Sequence, residues 1–248
     1  MKSIVFKSVG AAILLAGTIY ITSPLLDTYV DNRVQAYLDR YPDKVYASTS
    51  KGIDLLKAAE QSAKTRFVHS LKRALEQDTL DPVLGNPKAQ TTVVMFSDYN
   101  CGYCKKAHPT LQVLLDADDD LRVVIKEFPI LGPMSHLAAM ASIVVHQLKP
   151  EQYHLFQEKM FATRLTSQND IVAIAETIGI SSTVLLQEIP KLRYSKKLNE
   201  NLKLADKLQI SSTPAFVING KIYLGALSTQ DLQALVSQTR QVNARDES

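Results

Sequence analysis

Cysteine is scarce in this chain: there are two, Cys101 and Cys104, and only Gly102 and Tyr103 lie between them. With no third cysteine to form a structural bridge elsewhere, any redox chemistry belongs to this one pair. A closed structural zinc site needs four ligands and finds no second cysteine pair. Charge of one sign is also lacking. Twenty-eight basic against 25 acidic side chains leave a net charge of +3, too small and too evenly spread to suggest a nucleic-acid partner. There is no internal repeat and no low-complexity segment. What is present is 248 residues of 46% hydrophobic composition, enough for one substantial core and a smaller accessory element.

Charge is absent again near the N-terminus, where Lys2 and Lys7 precede 19 uncharged residues, Ser8 to Leu26. This is an export segment over 1–26. As a helix rising ~1.5 Å per residue it nearly crosses the ~30 Å hydrocarbon core. A cleavable signal has a shorter apolar region and a small-x-small site. The best cleavage candidate, after Ser23, is followed by Pro24, so the reading favours an uncleaved anchor over a cleaved signal. Either places the rest of the chain outside the cytoplasm, in the periplasm, where disulfides persist.

From Asp27 to about Gln77 glycine is nearly missing and the pattern is helical, with breaks expected at Pro42 and Gly52. Leu56, Ala59, Ala63, Phe67, Leu71 and Ala74 recur at three- and four-residue steps and form a narrow apolar stripe. Such a stripe packs on its own catalytic domain or on another copy; residues 27–80 are read as a helical oligomerisation segment. Asp81 to Pro87 reads as the linker into a main domain over 81–248.

That domain opens with a strand at Thr91 to Phe96, followed at once by the cysteines and a helix from Lys105 to Asp116 with Pro109 inside it. Leu121 to Phe128 is a second strand, and about 135–208 is almost wholly helical. Ala215–Ile218 and Lys221–Leu224 are short strands joined by Asn219-Gly220, a strong hairpin signal. A closing helix starts near Thr229, capped by Ser228. The order implies an α/β fold, a mixed sheet covered by helices with an inserted helical subdomain.

Thiol–disulfide exchange needs an attacking thiolate and a second thiol close enough to resolve the mixed disulfide. Cys101, directly after a strand, should sit at a helix N-terminus, where unpaired N–H groups favour the anion. Cys104, one turn further in, should be the resolving thiol. The pair requires no cofactor. His108, at i+4 from Cys104, is a possible third metal ligand, which keeps copper or zinc binding as the alternative. Few methionines surround the cysteines, against a dedicated copper carrier. Thr213-Pro214, at the mouth of an edge strand, suits a cis peptide that would present the Thr213 backbone beside Cys101, or an ordinary turn. Glu127, with Asp98 second, is the candidate proton carrier for Cys104.

The run Val94 to Lys105, the run Lys126 to Pro133 and the run Ser212 to Gly220 together resemble the DsbA family of thiol:disulfide interchange proteins, most closely its Com1-like and ScsC-like branches, over about Gly85 to Ser237. The resemblance implies a thioredoxin fold with a helical insertion, Cys101 as nucleophile, Cys104 as resolving thiol, Pro214 in the cis form and an N-terminal oligomerisation segment. Gly-Tyr between the cysteines and Thr before the proline match dimeric isomerases of the DsbC type rather than the monomeric oxidase. Isomerisation or reduction is therefore the first expectation and oxidation the second. The implied partners are exported proteins with thiols or disulfides, a membrane redox partner and further copies of the chain.

Overall fold

The computed structural model describes residues 26–246. The export segment over 1–26 lies outside them except for Leu26. Among the described residues no helix is long and apolar enough to cross a membrane.

The described chain divides into two compact units that meet at Gln61 and Ser62. The first holds helix α1 (26–40) and most of α2 (Pro42–Ser70). Pro42 begins α2, a position where its missing N–H costs no hydrogen bond. Gly52 does not break the helix as expected; it stays in the interior of α2. Leu56 of the predicted stripe is 73% exposed, and Tyr29, Val34, Tyr37, Tyr46 and Leu55 are exposed as well.

The second unit begins well before the expected start at residue 81. Val68 at the end of α2 and Leu75 of α3 (Lys72–Glu76) are buried in one core cluster with Phe96, Phe128, Leu208 and Val217, and Leu71 packs against it. The buried face of this segment therefore runs through residues 68, 71 and 75 and shares only Leu71 with the stripe, whose Phe67 remains exposed. At the tip of the β hairpin a Cβ on Gly220 would come within 2.5 Å of the His69 ring. Only glycine, at φ +72°, lets α2 pass so close.

Asp81 to Pro87 is more than a linker. Val83–Gly85 forms β1, paired antiparallel with β3 (Leu121–Glu127). Gly85 is needed there because a Cβ would strike the Leu121 carbonyl at 2.6 Å. The β-branched run Thr91–Ser97 forms β2, parallel to β3 and antiparallel to β4 (Ala215–Ile218), which continues through a hairpin into β5 (Lys221–Leu224). The sheet order is β1-β3-β2-β4-β5. Its two central strands are buried on both faces, each such apolar side chain contributing about 1.5–3 kcal/mol.

Val93, Met95, Val123 and Ile125 face one core cluster, and Val94, Phe96 and Val124 the other. On the first face stands α4 (Gly102–Ala117), which continues through Pro109. The insertion between β3 and β4 comprises α5 (Pro133–Leu148), α6 (Tyr153–Ala162), α7 (Gln168–Thr177), α8 (Ser182–Glu188) and α9 (Leu192–Lys207). The closing α10 is Thr229–Asp246. This is the thioredoxin fold with its helical insertion, preceded by a helical segment.

Candidate active site

The end of β2 is turned sharply by Asp98. Its buried carboxylate accepts the N–H groups of Asn100 (2.9 Å), Ile130 (3.0 Å) and Leu131 (3.0 Å), and its carbonyl accepts the Cys101 N–H at 3.1 Å. With three donors on one carboxylate, Asp98 is a clamp that ties the cysteine loop to the loop before α5. Cys101 is thereby delivered in extended conformation (φ −79°, ψ 118°) as the N-cap of α4. It points its Sγ at the Thr213 carbonyl, 3.2 Å away. The Thr213–Pro214 bond is cis.

Cys101 is 8% exposed and Cys104, within the first turn of α4, is sealed at 0%. Burial is the main cause that pushes the Cys104 thiol up to about 12, and the Cys101 charge adds to it. The Asp98 backbone and the Ser97 and Thr213 hydroxyls work in the other direction. The two sulfurs thus stand in contrasting surroundings, one at a helix end with an outlet to solvent and one enclosed. Tyr103 between them is 63% exposed, with the Lys106 ammonium 5.5 Å from its ring centre.

Glu127 is fully buried on the same face of the sheet as α4. Its Oε1 accepts a 2.5 Å bond from Ser142, which also meets the hydroxyls of Tyr99 (2.9 Å) and Tyr153 (3.2 Å). Burial raises the Glu127 carboxyl well above the usual carboxylate range. A carboxyl that keeps its proton in the folded chain but loses it in the unfolded chain makes stability fall as pH rises. The slope is about 1.4 kcal/mol per pH unit, from the unfolded carboxylate range up to the raised folded value. Glu127→Gln should remove that slope; urea unfolding followed from acid to mildly alkaline pH checks it, and an unchanged slope would show that Glu127 ionises normally.

Tyr99, Ser142 and Tyr153 carried no role in the sequence reading. Their only signal is a hydroxyl on helices and a loop that are otherwise apolar. His108 lies away from a ligand position: its buried ring stacks on Phe161 at 4.9 Å between centres. Among the described residues no group of three histidine, cysteine or acidic side chains is placed to hold a metal.

The thioredoxin family model matches residues 76–238. A thioredoxin-like oxidoreductase from Silicibacter pomeroyi is 32% identical, with 68% of this chain and 98% of that one covered at a TM-score of 0.65. ScsC of Proteus mirabilis, in a transitional conformation, is 25% identical over 88% of this chain and 98% of its own, also at a TM-score of 0.65. Disulfide bond formation protein D of Bacillus subtilis is 28% identical over 152 residues, 57% of this chain and 68% of that protein. The chain also matches a Na(+)/H(+) antiporter NhaA 1 of Salinispora arenicola, but spans only 24% of its length. Since the match takes in nearly all of the cysteine-bearing unit rather than one short motif, the chain belongs to the thioredoxin family, as a thiol–disulfide oxidoreductase of the DsbA type.

Proposed function

We propose that Cys101 is the attacking thiol and Cys104 the resolving thiol of a disulfide isomerase or reductase working on exported proteins. The observation that carries the assignment of roles is the contrast between the sulfurs: Cys101 caps a helix and reaches the Thr213 carbonyl, while Cys104 is enclosed with its thiol pushed up. The Cys101 thiolate bonds to one sulfur of a substrate disulfide and releases the other as a thiolate. Cys104 then bonds to Cys101 and frees the remaining substrate sulfur, so two electrons pass from the dithiol to the substrate. In isomerisation a substrate thiol resolves the mixed disulfide instead, and the protein dithiol is regenerated. Thr213 and Pro214 shape the docking edge, where the Thr213 backbone, beside the Cys101 sulfur, would pair with an extended substrate segment.

The uncharged stretch Ser8 to Leu26 supports a periplasmic setting, with a membrane redox partner to restore the working redox state. The exposed apolar side chains of α1 and α2 support self-association. Coupling two or more sites lets one hold a scrambled substrate while another thiol attacks it, at a raised effective concentration. Alkylation trapping in cells tests the direction of exchange: a mostly reduced pair is expected, and a mostly oxidised pair would overturn isomerisation in favour of oxidation.

Size tests the assembly. Protein lacking residues 1–26 should be oligomeric by light scattering. Protein starting at Ser62, which keeps Val68, Leu71 and Leu75 in the core, should be monomeric. It should still reduce small disulfides yet reactivate scrambled ribonuclease about tenfold or more slowly, the lower end of what linked sites gain. A monomer in the first case would remove the physical support for isomerisation.

A further inference from the structure

Three cations near the cysteine turn have no acidic partner. Lys106 of α4 is exposed, and its ammonium lies 5.5 Å from the centre of the Tyr103 ring. Side chains of a helix lean towards its N-terminus, so this one carries its charge back to the residue next to Cys104. Tyr103, itself exposed, is the platform that holds it there. Lys105, the neighbour of Lys106, donates to the Thr163 carbonyl at the end of α6 (2.7 Å). Arg164, the residue after Thr163, is exposed. Among the described residues no carboxylate pairs with Lys105, Lys106 or Arg164, whereas Lys126, Lys197 and Arg240 each have one.

The carboxyls on this part of the unit do not offset these charges at the surface. Asp98 is buried and taken up by three N–H groups. Glu127 is buried and held well above the carboxylate range, so it keeps its proton. The exposed Glu158 of α6 acts on His108, one turn beyond Cys104, and bonds to none of the three cations. Distance decides whether Lys106 matters to a docking substrate. Its place on α4 puts it about 7.5 Å from Cys101 along the helix axis, within the Debye length of about 8 Å at physiological salt. An extended chain advances about 3.3 Å per residue. The second residue from a substrate cysteine therefore stands about 7 Å from the reacting sulfurs, a matching reach.

We infer that Lys106, seated on Tyr103 and assisted by Lys105 and Arg164, is a specificity determinant that selects disulfides with an acidic residue one or two positions from their cysteine. The Cys101 thiolate bonds to one sulfur of such a disulfide and expels the other half as a thiolate. Lys106 takes no part in that exchange of bonds. It raises the rate at which acidic partners reach Cys101 and favours their carboxylate beside the cysteine turn. The thiols do the same chemistry on every substrate, and the cations decide which substrates they meet most often. The inference rests on attack by Cys101 as proposed above and names the class of substrate that this attack favours.

The full-length reduced protein is mixed with oxidised glutathione, which is anionic, and with cystamine, which is cationic. Each attack rate is divided by that of β-mercaptoethanol on the same disulfide, and the ratio of the two reads the preference. At about 0.01 M ionic strength, where the Debye length is about 30 Å, the ratio should favour glutathione by about tenfold. At about 1 M, where that length is about 3 Å, it should shrink to within about twofold. Lys106→Gln should lower the low-salt ratio by about threefold and Lys106→Glu by about tenfold. Peptide disulfides that differ only in carrying glutamate or lysine two positions from the cysteine should show the same preference and the same losses. A Lys106 that served only to sustain the Cys101 thiolate would slow both disulfides together in the variants; an unmoved ratio therefore overturns the inference. So does a preference that survives 1 M salt, or a pair of peptides attacked at equal rates. A parent protein that forms an adduct with neither small disulfide would refute the role given to Cys101, and the selection with it.

Discussion

Replacing Cys104 by alanine is expected to leave a protein that still attacks disulfides but cannot let go, so each chain ends as a mixed disulfide on Cys101. Well-oriented intramolecular groups reach effective molarities of about 10⁵ M or more. Once Cys104 is gone, release depends on an outside thiol at about millimolar concentration, and turnover should fall by at least about a thousandfold. Cys101→Ser should abolish attack altogether, because Cys104 is sealed and its thiol is pushed up to about 12. Non-reducing gels with mass spectrometry of the adducts, beside insulin-reduction rates, read both outcomes. Full turnover in the Cys104 variant, with adducts building up in the Cys101 variant, would reverse the two roles.

The parts of this site that lie close together in the chain were legible before the structure. Cys101 and Cys104 announce themselves by spacing and by the strand before them, and the cis bond was expected at Thr213–Pro214. Asn219-Gly220 marks the hairpin because its two residues take positive φ, 46° and 72°. What escaped the reading depends on contacts distant in sequence. β1 is a three-residue strand, too short for a periodic signal, and it exists because β3 offers it an edge. The start of the second unit was misplaced for a related reason. Leu56 to Ala74 reads as one stripe at helical spacing, but the sheet takes up a face that shares only Leu71 with it and adds Val68 and Leu75. Gly52 lowers helix propensity by only about 1 kcal/mol, too little to break a helix of 29 residues.

The hydroxyl cluster around Glu127 shows the same limit. Tyr99 and Ser142 are 43 positions apart, and Tyr99 and Tyr153 are 54 apart. No local pattern joins them; the insertion does, by laying α5 and α6 over the end of β3. The insertion is thus part of the active-site scaffold, in that its Ser142, Tyr153 and Asn201 hold the residue beside Ser97. Asp98, the second proton-carrier candidate for its place at a strand end near the cysteines, has three N–H partners that make it the residue that aims Cys101.

Asp81 should be the most costly charged residue to lose outside the cysteine site. It is fully buried between β3 and α9, where its Oδ2 accepts from Lys126 and, at 2.8 Å, from Lys197. Lys197 also reaches Asp78 at 2.7 Å, and Lys126 donates to the Ala74 carbonyl at 2.6 Å. Two cations and two carboxylates thus join the segment before β1 to the central sheet and the insertion. Burial pushes Asp81 up and Lys126 down against their mutual attraction, so the pair is stable only while each partner is present. Asp81→Asn leaves two buried ammonium groups with Asp78, one-third exposed, as the carboxylate still bonded to one of them, and should cost about 3–5 kcal/mol. For a unit of this size that lowers Tm by roughly 6–20 °C. Asp81→Leu combined with Lys126→Met should regain most of the loss, since Lys197 keeps Asp78 and apolar side chains of similar volume replace the pair. Urea and thermal unfolding of the single and double variants measure both effects. A single variant within about 1 kcal/mol of the parent would mean that water reaches the cluster and that the 62–81 segment is held to the insertion chiefly by the apolar packing of Val68, Leu71 and Leu75.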